Sequence, residues 1–600
     1  MDGTWDLSIL YQGFDDPKYA ADLEKLEQSV DTFCRRIDAI AASQERMSAG
    51  QLAELLKMQE EIIVLRDDLQ KYAVLRRETN AGEEAAAKYN GLVAKIYSMA
   101  SGADTLLCRW IGEIELTEDD FKSFPILDAY RFYIAQQKKK SSHLMPVEAE
   151  ALLAQIQSCA GNAWIDLRSY LASYAHAPLD GKEYTLTQLR GFDHHPSQAM
   201  RKAAFLAEIE CSKSIEAGVC FALNSIKEQV LITSKNRGFQ DVIDTAMDHS
   251  RMKRETLDAL WDAVRQSLPK FRKYLKRKAE ILGHHNGLPW YDLKASFGKT
   301  SRYFEIEEAR AFLINRLGGF SQSLGELVDR AFREQWIDFY PHAGKTGGAF
   351  CRCLQPQGQS RILTNFDHTL SSVIVLAHEL GHAYHNLQIK DHRPMNAIYT
   401  MPVGETASNF NEVLVLNDVI ASAKDEEKLA LIEQRLQDST QTIVDIYSRF
   451  LFEISVFEER KKGFLFPKRL CELMLIAQQE TYGDSLDPQW MHPYMWVNKF
   501  HYYLTHNSFY NFPYAFGLLL SNGLYARYQQ EGKSFVGKYE RFLHATTVST
   551  IEDCTALAGI DVTKPDFWIE SLSVIEEQIE LFLALTERGK NTAIDRESLA

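Results

Sequence analysis

Apolar residues recur every three to four positions through most of the first hundred residues, and charged residues fill the positions between them. The segment 51–75 shows this spacing clearly, and a second such segment begins at Ala81. The spacing predicts amphipathic helices. A coiled coil with a partner chain is the alternative, but no strict heptad persists, so we expect these helices to pack against one another within the chain.

Two polar segments interrupt the helical pattern. They are 141–146 and 191–196, and each ends in a proline, which helices seldom accommodate beyond their first turn. We place a domain boundary near the second one. The pattern therefore predicts an N-terminal helical region, 1–195, followed by a second region, 196–600.

An apolar run, Val373–Ala377, leads into the pentapeptide His378-Glu379-Leu380-Gly381-His382. The run predicts a buried helix. Residues four apart lie on one face of a helix, so His378 and His382 can both direct an imidazole at one Zn²⁺ ion, with Glu379 beside them. The alternative is that these side chains are hydrogen-bonded inside an ordinary core helix. The spacing favours a zinc hydrolase.

A hydrolytic zinc site needs a third protein ligand and an open fourth position. Downstream, Pro402 and Gly404 precede an apolar-periodic helix, and Glu405 lies in its first turn. Glu412, seven residues on, falls on the same helical face. We expect Glu405 to be the third ligand and Glu412 to hydrogen-bond a ligand imidazole and hold its tautomer. Ordinary surface carboxylates are the alternative for both.

Strand signals precede the apolar run. The segments 347–354 and 361–366 flank a turn-forming segment, 355–359, and together they predict a β-hairpin. A strand edge beside a metal can pair with an extended peptide through main-chain hydrogen bonds. Gly347 and Gly348, followed by Ala349, would let that backbone come close. A purely structural hairpin is the alternative.

Several separated segments carry a resemblance to a known family. They are the strings His378–His385 and Gly404–Glu412, and a third block formed by Lys499–Tyr503 and Phe509–Gly517. Together with the opening Trp5–Tyr11, they resemble the oligoendopeptidase F family, zinc metallopeptidases related to thimet oligopeptidase. The motifs occur in the family's order and extend over essentially the whole chain. The chain departs from the family pattern at Phe512 and Pro513, where many relatives carry hydroxyl-bearing residues.

The resemblance implies a mainly helical fold in which two helical halves enclose a deep substrate channel. A small antiparallel β-sheet is expected next to the metal helix. The family's channel restricts substrates to oligopeptides, and the resemblance favours contact between the substrate backbone and the segment 347–349. The region 196–600 would then be the catalytic zinc metallopeptidase domain.

The expected mechanism uses one Zn²⁺ ion per chain, which lowers the pKa of its water to about 7. Glu379 takes the proton and passes it to the leaving amine. The tetrahedral oxyanion needs a second donor, which a tyrosine hydroxyl or an imidazolium can supply. His501, Tyr510 and Tyr514 are the candidates, with Tyr510 as the expected donor and Tyr514 as its neighbour in the cleft. Packing in an aromatic core helix is the alternative for each.

Composition narrows the possible functions. The 600 residues are 45% hydrophobic and include only 16 prolines, which suits long helices around extended cores. A formal charge of −15 disfavours nucleic acids and anionic membranes as partners. The nine cysteines are odd in number and lack Cys-x-x-Cys spacing, which argues against a disulfide framework. No secretory signal or membrane-spanning apolar stretch is present, so we expect a cytoplasmic enzyme.

The sequence therefore predicts a zinc-dependent oligoendopeptidase that cleaves internal bonds of short peptides. A zinc carboxypeptidase with the same pentapeptide motif is one alternative. A non-catalytic peptide-binding protein with a structural zinc is another, although the intact Glu379 argues against it. Nothing in the sequence defines the oligomeric state.

Overall fold

The computed structural model describes residues 3–297 and 302–591, so the outermost residues of the two predicted regions, 1–2 and 592–600, lie outside the described residues. The chain is mainly helical, which confirms the predicted fold class. Before residue 195 the α-helices are α1 (Pro17–Ser43), α2 (Ala49–Thr79), α3 (Glu84–Ser98), α4 (Ser101–Glu113), α5 (Glu118–Ser123), α6 (Pro125–Ala129), α7 (Arg131–Ser141), α8 (Val147–Cys159), α9 (Gly161–Tyr174) and α10 (Leu186–Gly191).

The later helices are longer on average and contain the predicted motifs. They are α11 (Gln198–Asn236), α12 (Val242–Ser250), α13 (Arg254–Ile281), α14 (Ile306–Phe320), α15 (Gln322–Arg333), α16 (Leu370–Gln388), α17 (Met401–Gly404), α18 (Thr406–Ser422), α19 (Asp425–Thr440), α20 (Ile446–Arg460), α21 (Pro467–Tyr482), α22 (Met495–Asn498), α23 (Phe512–Glu531), α24 (Val536–Ala545), α25 (Ile551–Ala556) and α26 (Pro565–Asn591). Among the described residues, none of the helices is both long enough and apolar enough to span a membrane.

The N-terminal helices enclose a core of their own. Tyr19 of α1 and Leu55 and Tyr72 of α2 are buried in it. Leu354 and Leu363, which lie just ahead of α16 in the chain, belong to the same cluster and are fully buried. The segment that leads into α16 is therefore attached to the N-terminal helices by apolar contacts.

A smaller core includes residues from both sides of residue 195. Ala177 and Leu189 precede that position, Ala204 and Cys211 follow it, and all four are buried together. The division of the chain into 1–195 and 196–600 stays a prediction.

The small sheet beside α16 contains the predicted hairpin. Its strands are β3 (Ile337–Asp338), β4 (Phe350–Leu354) and β5 (Gln359–Leu363), while β1 (His176–Leu179) and β2 (Lys182–Thr185) form a separate hairpin. The strand order is β3-β5-β4. Strands β4 and β5 are antiparallel, which confirms the hairpin, and β3 adds a short parallel pairing that the sequence analysis missed.

Helix α16 begins with a side-chain cap and buries one face. The hydroxyl of Thr369 accepts a hydrogen bond from the backbone N–H of Ser372 at 3.2 Å, which satisfies one of the free donors of the first turn. Val373 and Leu376 are fully buried, but Val375 is 38% exposed. The apolar run is therefore buried on one side only, and the other side is free to border a cavity.

The backbones of α16 and α18 approach closely at Gly381. A Cβ atom at this position would lie 2.5 Å from Cα of Ser408 and still closer to the carbonyl oxygen of Ala407. One turn before Gly381, the side chain of Asn411 donates a hydrogen bond to the carbonyl of Ala377 at 3.1 Å. Both contacts fix the distance between the two helices.

We expect the substitution Gly381→Ala to lower stability by about 1–3 kcal/mol, because the added methyl group forces the two backbones apart. Thermal unfolding followed by calorimetry measures the change. Gly91→Ala is the matched control, since a Cβ atom there meets nothing within 4 Å. In the interior of α3, alanine should instead stabilise the helix by about 0.5–1 kcal/mol. Equal thermal unfolding midpoints for the two variants would show that α16 and α18 can move apart without loss of stability.

Candidate active site

His378 and His382 direct their imidazoles toward the same point from one face of α16. Nε2 of His378 lies 3.2 Å from Oε2 of Glu405, and Nε2 of His382 lies 3.5 Å from the same oxygen. One ligand atom from each of the three residues lies within 4.8 Å of the others. Two imidazoles and a carboxylate at this spacing form a donor set that suits Zn²⁺.

Glu405 is held in place by the helices around it. It lies at the junction between α17 and α18, and the hydroxyl of Ser408 donates a hydrogen bond to its Oε2 at 3.1 Å. On the other side, Gly517 of α23 packs so closely that a Cβ atom there would lie 3.2 Å from Cβ of Glu405. The carboxylate position is therefore set by the packing of three helices.

Glu412 binds the other nitrogen of His378. Its Oε1 lies 2.5 Å from Nδ1 of His378. An ionised carboxylate only accepts hydrogen bonds, so Nδ1 carries the proton in this contact. Nε2 then faces Glu405 and His382, and once it gives up its own proton its lone pair has the orientation that a metal ligand needs.

The charges around His378 favour a cation at this point. Burial alone would lower the pKa of His378, but its bonds to Glu405 and Glu412 raise the pKa to about 10. Burial would raise the pKa of Glu405, but the bonds from His378 and His382 hold it well below its usual range. The carboxylates therefore attract positive charge, either as a proton on His378 or as a metal ion that replaces it.

Glu379 is buried beside the two histidines and is only 5% exposed. Its Oε2 atom has no hydrogen-bond partner among the described residues. Burial raises the pKa of Glu379, and the positive charges of His378 and His382 oppose that rise. A buried polar atom without a partner is costly and is often found where a ligand or water belongs. The donor set and this free oxygen both fit a metal ion with an attached water.

A cavity of about 700 Å³ opens on part of this group of side chains. Its walls include His378, Glu405 and Glu412, together with Ile374 from the partly exposed side of α16. Tyr514 of α23 also lines it. The cavity is large enough for several peptide residues and reaches two of the three candidate metal ligands, His378 and Glu405.

The three predicted oxyanion donors form a chain of aromatic contacts. His501 stacks on Tyr510 with ring centroids 4.5 Å apart, and the Tyr510 and Tyr514 centroids are 6.1 Å apart. Of the three, only Tyr514 is among the residues that line the cavity. Burial, followed by the hydrogen bond with Tyr510, raises the pKa of Tyr514, so its hydroxyl stays protonated and able to donate.

His501 is a neutral imidazole near pH 7. Burial, and then the positive charges of Arg449 and Lys499, lower its pKa to about 4. The imidazolium form considered for this residue is therefore disfavoured. Any contribution from His501 would come from a neutral ring or from its stacking on Tyr510.

Strand β4 lies next to Glu379. After burial, the charge of Glu379 is the largest cause that raises the pKa of Cys351 in β4. Gly347 and Gly348 precede β4 in an exposed bend, and Ala349 is half-buried. The Gly348 carbonyl already accepts a hydrogen bond from the side-chain amide of Asn365 at 2.8 Å. Among the described residues β4 pairs only with β5, so its other edge has no strand partner.

Several residues of α19 also line the cavity, and none of them was predicted from the sequence. Two of these residues, Arg435 and Asp438, have shifted pKa values. Burial lowers the pKa of Arg435 to about 10, while the charge of Glu412 acts in the opposite direction. Burial raises the pKa of Asp438 to about 6. No local motif marks either residue, whereas the isolated glycines Gly381 and Gly517 were a detectable sign of close helix packing.

Comparison with known proteins supports the same assignment. The family model for "Peptidase family M3" matches residues 192–574. The chain is 23% identical to oligopeptidase PepF of Bacillus subtilis (strain 168), with 89% of this chain and 81% of the relative covered. It is also 23% identical to the group B oligopeptidase PepB of Streptococcus agalactiae serotype III (strain NEM316), with 98% and 97% covered.

A solved structure shares the fold. The crystal structure of oligoendopeptidase-F from Enterococcus faecium superposes with a TM-score of 0.70 at 18% identity, covering 95% of this chain and 99% of that one. The family match extends over more than half of the chain and contains the histidine pair and Glu405. The chain therefore belongs to peptidase family M3 and is a metalloendopeptidase, whose substrates are peptides.

Proposed function

We propose that this protein is a zinc-dependent oligoendopeptidase that hydrolyses internal bonds of short peptides. His378, His382 and Glu405 would hold one Zn²⁺ ion per chain, and Glu379 would be the general base. The observation that carries the proposal is the convergence of both Nε2 atoms on Oε2 of Glu405, at 3.2 and 3.5 Å. The buried, unpartnered carboxylate oxygen of Glu379 beside them supports it.

A Zn²⁺ ion in this site would supply Lewis acidity, which polarises a carbonyl and makes water a better nucleophile near neutral pH. Glu379 accepts the proton of the attacking water and later donates it to the leaving amine. Its raised pKa suits this exchange, because a base of intermediate strength both takes up and releases a proton readily. Glu412 keeps His378 in the tautomer that presents Nε2.

Substrate would lie in the cavity of about 700 Å³. We propose that its backbone extends from there to the edge of β4 that has no strand partner among the described residues. Main-chain pairing recognises peptides of many sequences, and Gly347, Gly348 and Ala349 are the proposed contacts. Tyr514 is our proposed donor to the developing oxyanion, and its position in the wall of the same cavity as Glu405 supports this choice. Tyr510 remains a candidate donor that contacts Tyr514, and His501 would position Tyr510 by stacking.

The remaining expectations rest on the sequence. We expect a cytoplasmic location and oligopeptides as the partners. We expect neither nucleic acid nor membranes as partners, because the formal net charge of the chain is −15.

The test of the proposed function is a quenched fluorogenic peptide whose C terminus is amidated, with the products mapped by mass spectrometry. We expect internal cleavage that stops when a chelator removes the metal and resumes when Zn²⁺ is restored. An absolute need for a free C-terminal carboxylate would overturn the endopeptidase assignment in favour of a zinc carboxypeptidase.

In the same assay, Glu379→Gln should reduce kcat by about 10²–10⁴-fold while zinc content stays unchanged, because the amide cannot accept the proton. Glu426→Gln, at an exposed position of α19, is the matched control and should keep wild-type activity. Activity retained by Glu379→Gln would remove this residue from the mechanism.

The roles of the two carboxylates near His378 can be separated by zinc retention. Glu412→Gln should weaken zinc affinity by about 10–100-fold, because the imidazole loses the acceptor that orients it. Glu405→Gln should weaken it further, since a neutral amide is a poorer zinc ligand than a carboxylate. Competition with a chromophoric chelator measures both affinities. A larger loss for Glu412→Gln than for Glu405→Gln would show that the assignments are reversed.

The oxyanion donor is identified by paired Tyr→Phe substitutions. Tyr514→Phe should lower kcat by about 10²–10³-fold with little change in KM, because the hydrogen bond strengthens in the transition state. Tyr510→Phe should cost less, since its hydroxyl acts through Tyr514. Steady-state kinetics on one peptide compare the two, with zinc content as the control. The opposite order would make Tyr510 the donor.

A further inference from the structure

A second cluster of possible metal ligands lies beyond the end of α16. Asp391 and His392 follow this helix, and His544 belongs to the last turn of α24. Nε2 of His392 lies 3.1 Å from Nε2 of His544, which in turn lies 3.3 Å from Oδ1 of Asp391. One donor atom from each residue lies within 4.8 Å of the others.

These distances match those between ligands that share one ion. Two donors bound to a tetrahedral Zn²⁺ at about 2.0–2.1 Å lie about 3.3 Å apart. In the candidate active site the corresponding distances are 3.2 and 3.5 Å. The second cluster, at 3.1 and 3.3 Å, is as tightly drawn together as the first.

His392 is oriented as a ligand. Its Nδ1 lies 2.6 Å from the hydroxyl oxygen of Thr547, a buried residue just after α24. A hydroxyl that accepts from Nδ1–H leaves the lone pair of Nε2 directed at His544, which is the arrangement of a supported metal ligand.

We infer that Asp391, His392 and His544 form a second binding site for a divalent transition-metal ion. Two imidazoles and one carboxylate suit Zn²⁺, Cu²⁺ or Ni²⁺, whereas Mg²⁺ and Ca²⁺ prefer oxygen ligands alone. The side chains of Asp391 and His544 are 66% and 45% exposed, so water completes the coordination and the ion exchanges with solvent. We expect the site to bind metal more weakly than the candidate active site, where each ligand is more deeply buried than Asp391 and His544.

A metal ion at this position would join two parts of the fold. Asp391 and His392 continue from α16, which carries the histidine pair, while His544 is contributed by α24. Nearby, Nε2 of His385 in α16 lies 2.7 Å from the hydroxyl oxygen of Thr546, so the two elements already meet there. The ion would add a link between these two elements. It would also stabilise the protein, because it binds the folded chain and not the unfolded one.

The test counts zinc ions per chain. Protein stripped with a chelator is equilibrated with Zn²⁺, separated from free metal and analysed for zinc, alongside a calorimetric titration. Wild type should bind two ions per chain in two steps of different affinity. His544→Ala should bind one and keep the wild-type kcat, because its side chain lies outside the candidate active site. His342→Ala, at another exposed histidine, is the matched control and should still bind two.

The second site is also measured without the first. The double variant His378→Ala/His382→Ala should retain one zinc ion, and zinc should raise its thermal midpoint. Adding His544→Ala should remove both effects, and Asp391→Asn should weaken the remaining affinity. Equal zinc content in wild type and His544→Ala would overturn the inference and leave His392 and His544 as a hydrogen-bonded pair. Because the readout is binding, failure of the proposed peptidase mechanism would not produce that result.

Discussion

The close contact between α16 and α18 is the constraint on which the site depends. The absence of a side chain at Gly381 lets the two backbones touch at Ser408. Glu405 immediately precedes α18, so the separation of these helices sets how far its carboxylate lies from both imidazoles. The absence of a side chain at Gly517 likewise lets α23 approach Glu405 closely. The ligand distances are thus a property of helix packing and not of any flexible loop.

The charges in this region are balanced only when positive charge is present. Glu405 and Glu412 both approach His378, and Glu379 lies buried alongside. Arg435 is a buried positive charge whose ionised form is favoured by Glu412, and burial disfavours the ionised form of Asp438. Buried carboxylates are stable only with partners. A divalent cation between His378, His382 and Glu405 would complete that compensation.

The sequence predicted what depends on short-range geometry. The four-residue spacing of the histidines and the seven-residue spacing of Glu405 and Glu412 follow from the pitch of a helix. The hairpin followed from alternation and turn residues, and the family resemblance added the helical fold. Strand β3 was not predicted, because a strand of only two residues is too short to show the alternation of apolar and polar positions.

Contacts between segments that are distant in the chain could not be predicted from the sequence. Tyr510 and Tyr514 are four residues apart, and only the packing of α23 decides which of them reaches the cavity. No sequence motif marks Arg435, and its position in the cavity wall follows only from the packing of α19. His392 and His544 are separated by 152 positions in the chain and meet only through the contact between α16 and α24. Such relations depend on tertiary packing, which local propensity does not encode.

The shared core of the N-terminal helices and the sheet has a consequence for folding. Leu354, Leu363 and Met395 bury their side chains among N-terminal helices, although all three lie within the part of the chain that the family match covers, 192–574. Alone, that segment would present these side chains to water beside the edge of β4 that has no strand partner among the described residues, a combination that promotes aggregation. The N-terminal helices therefore cover an apolar surface of the segment that carries the candidate catalytic groups, and removal of these helices would expose that surface to water.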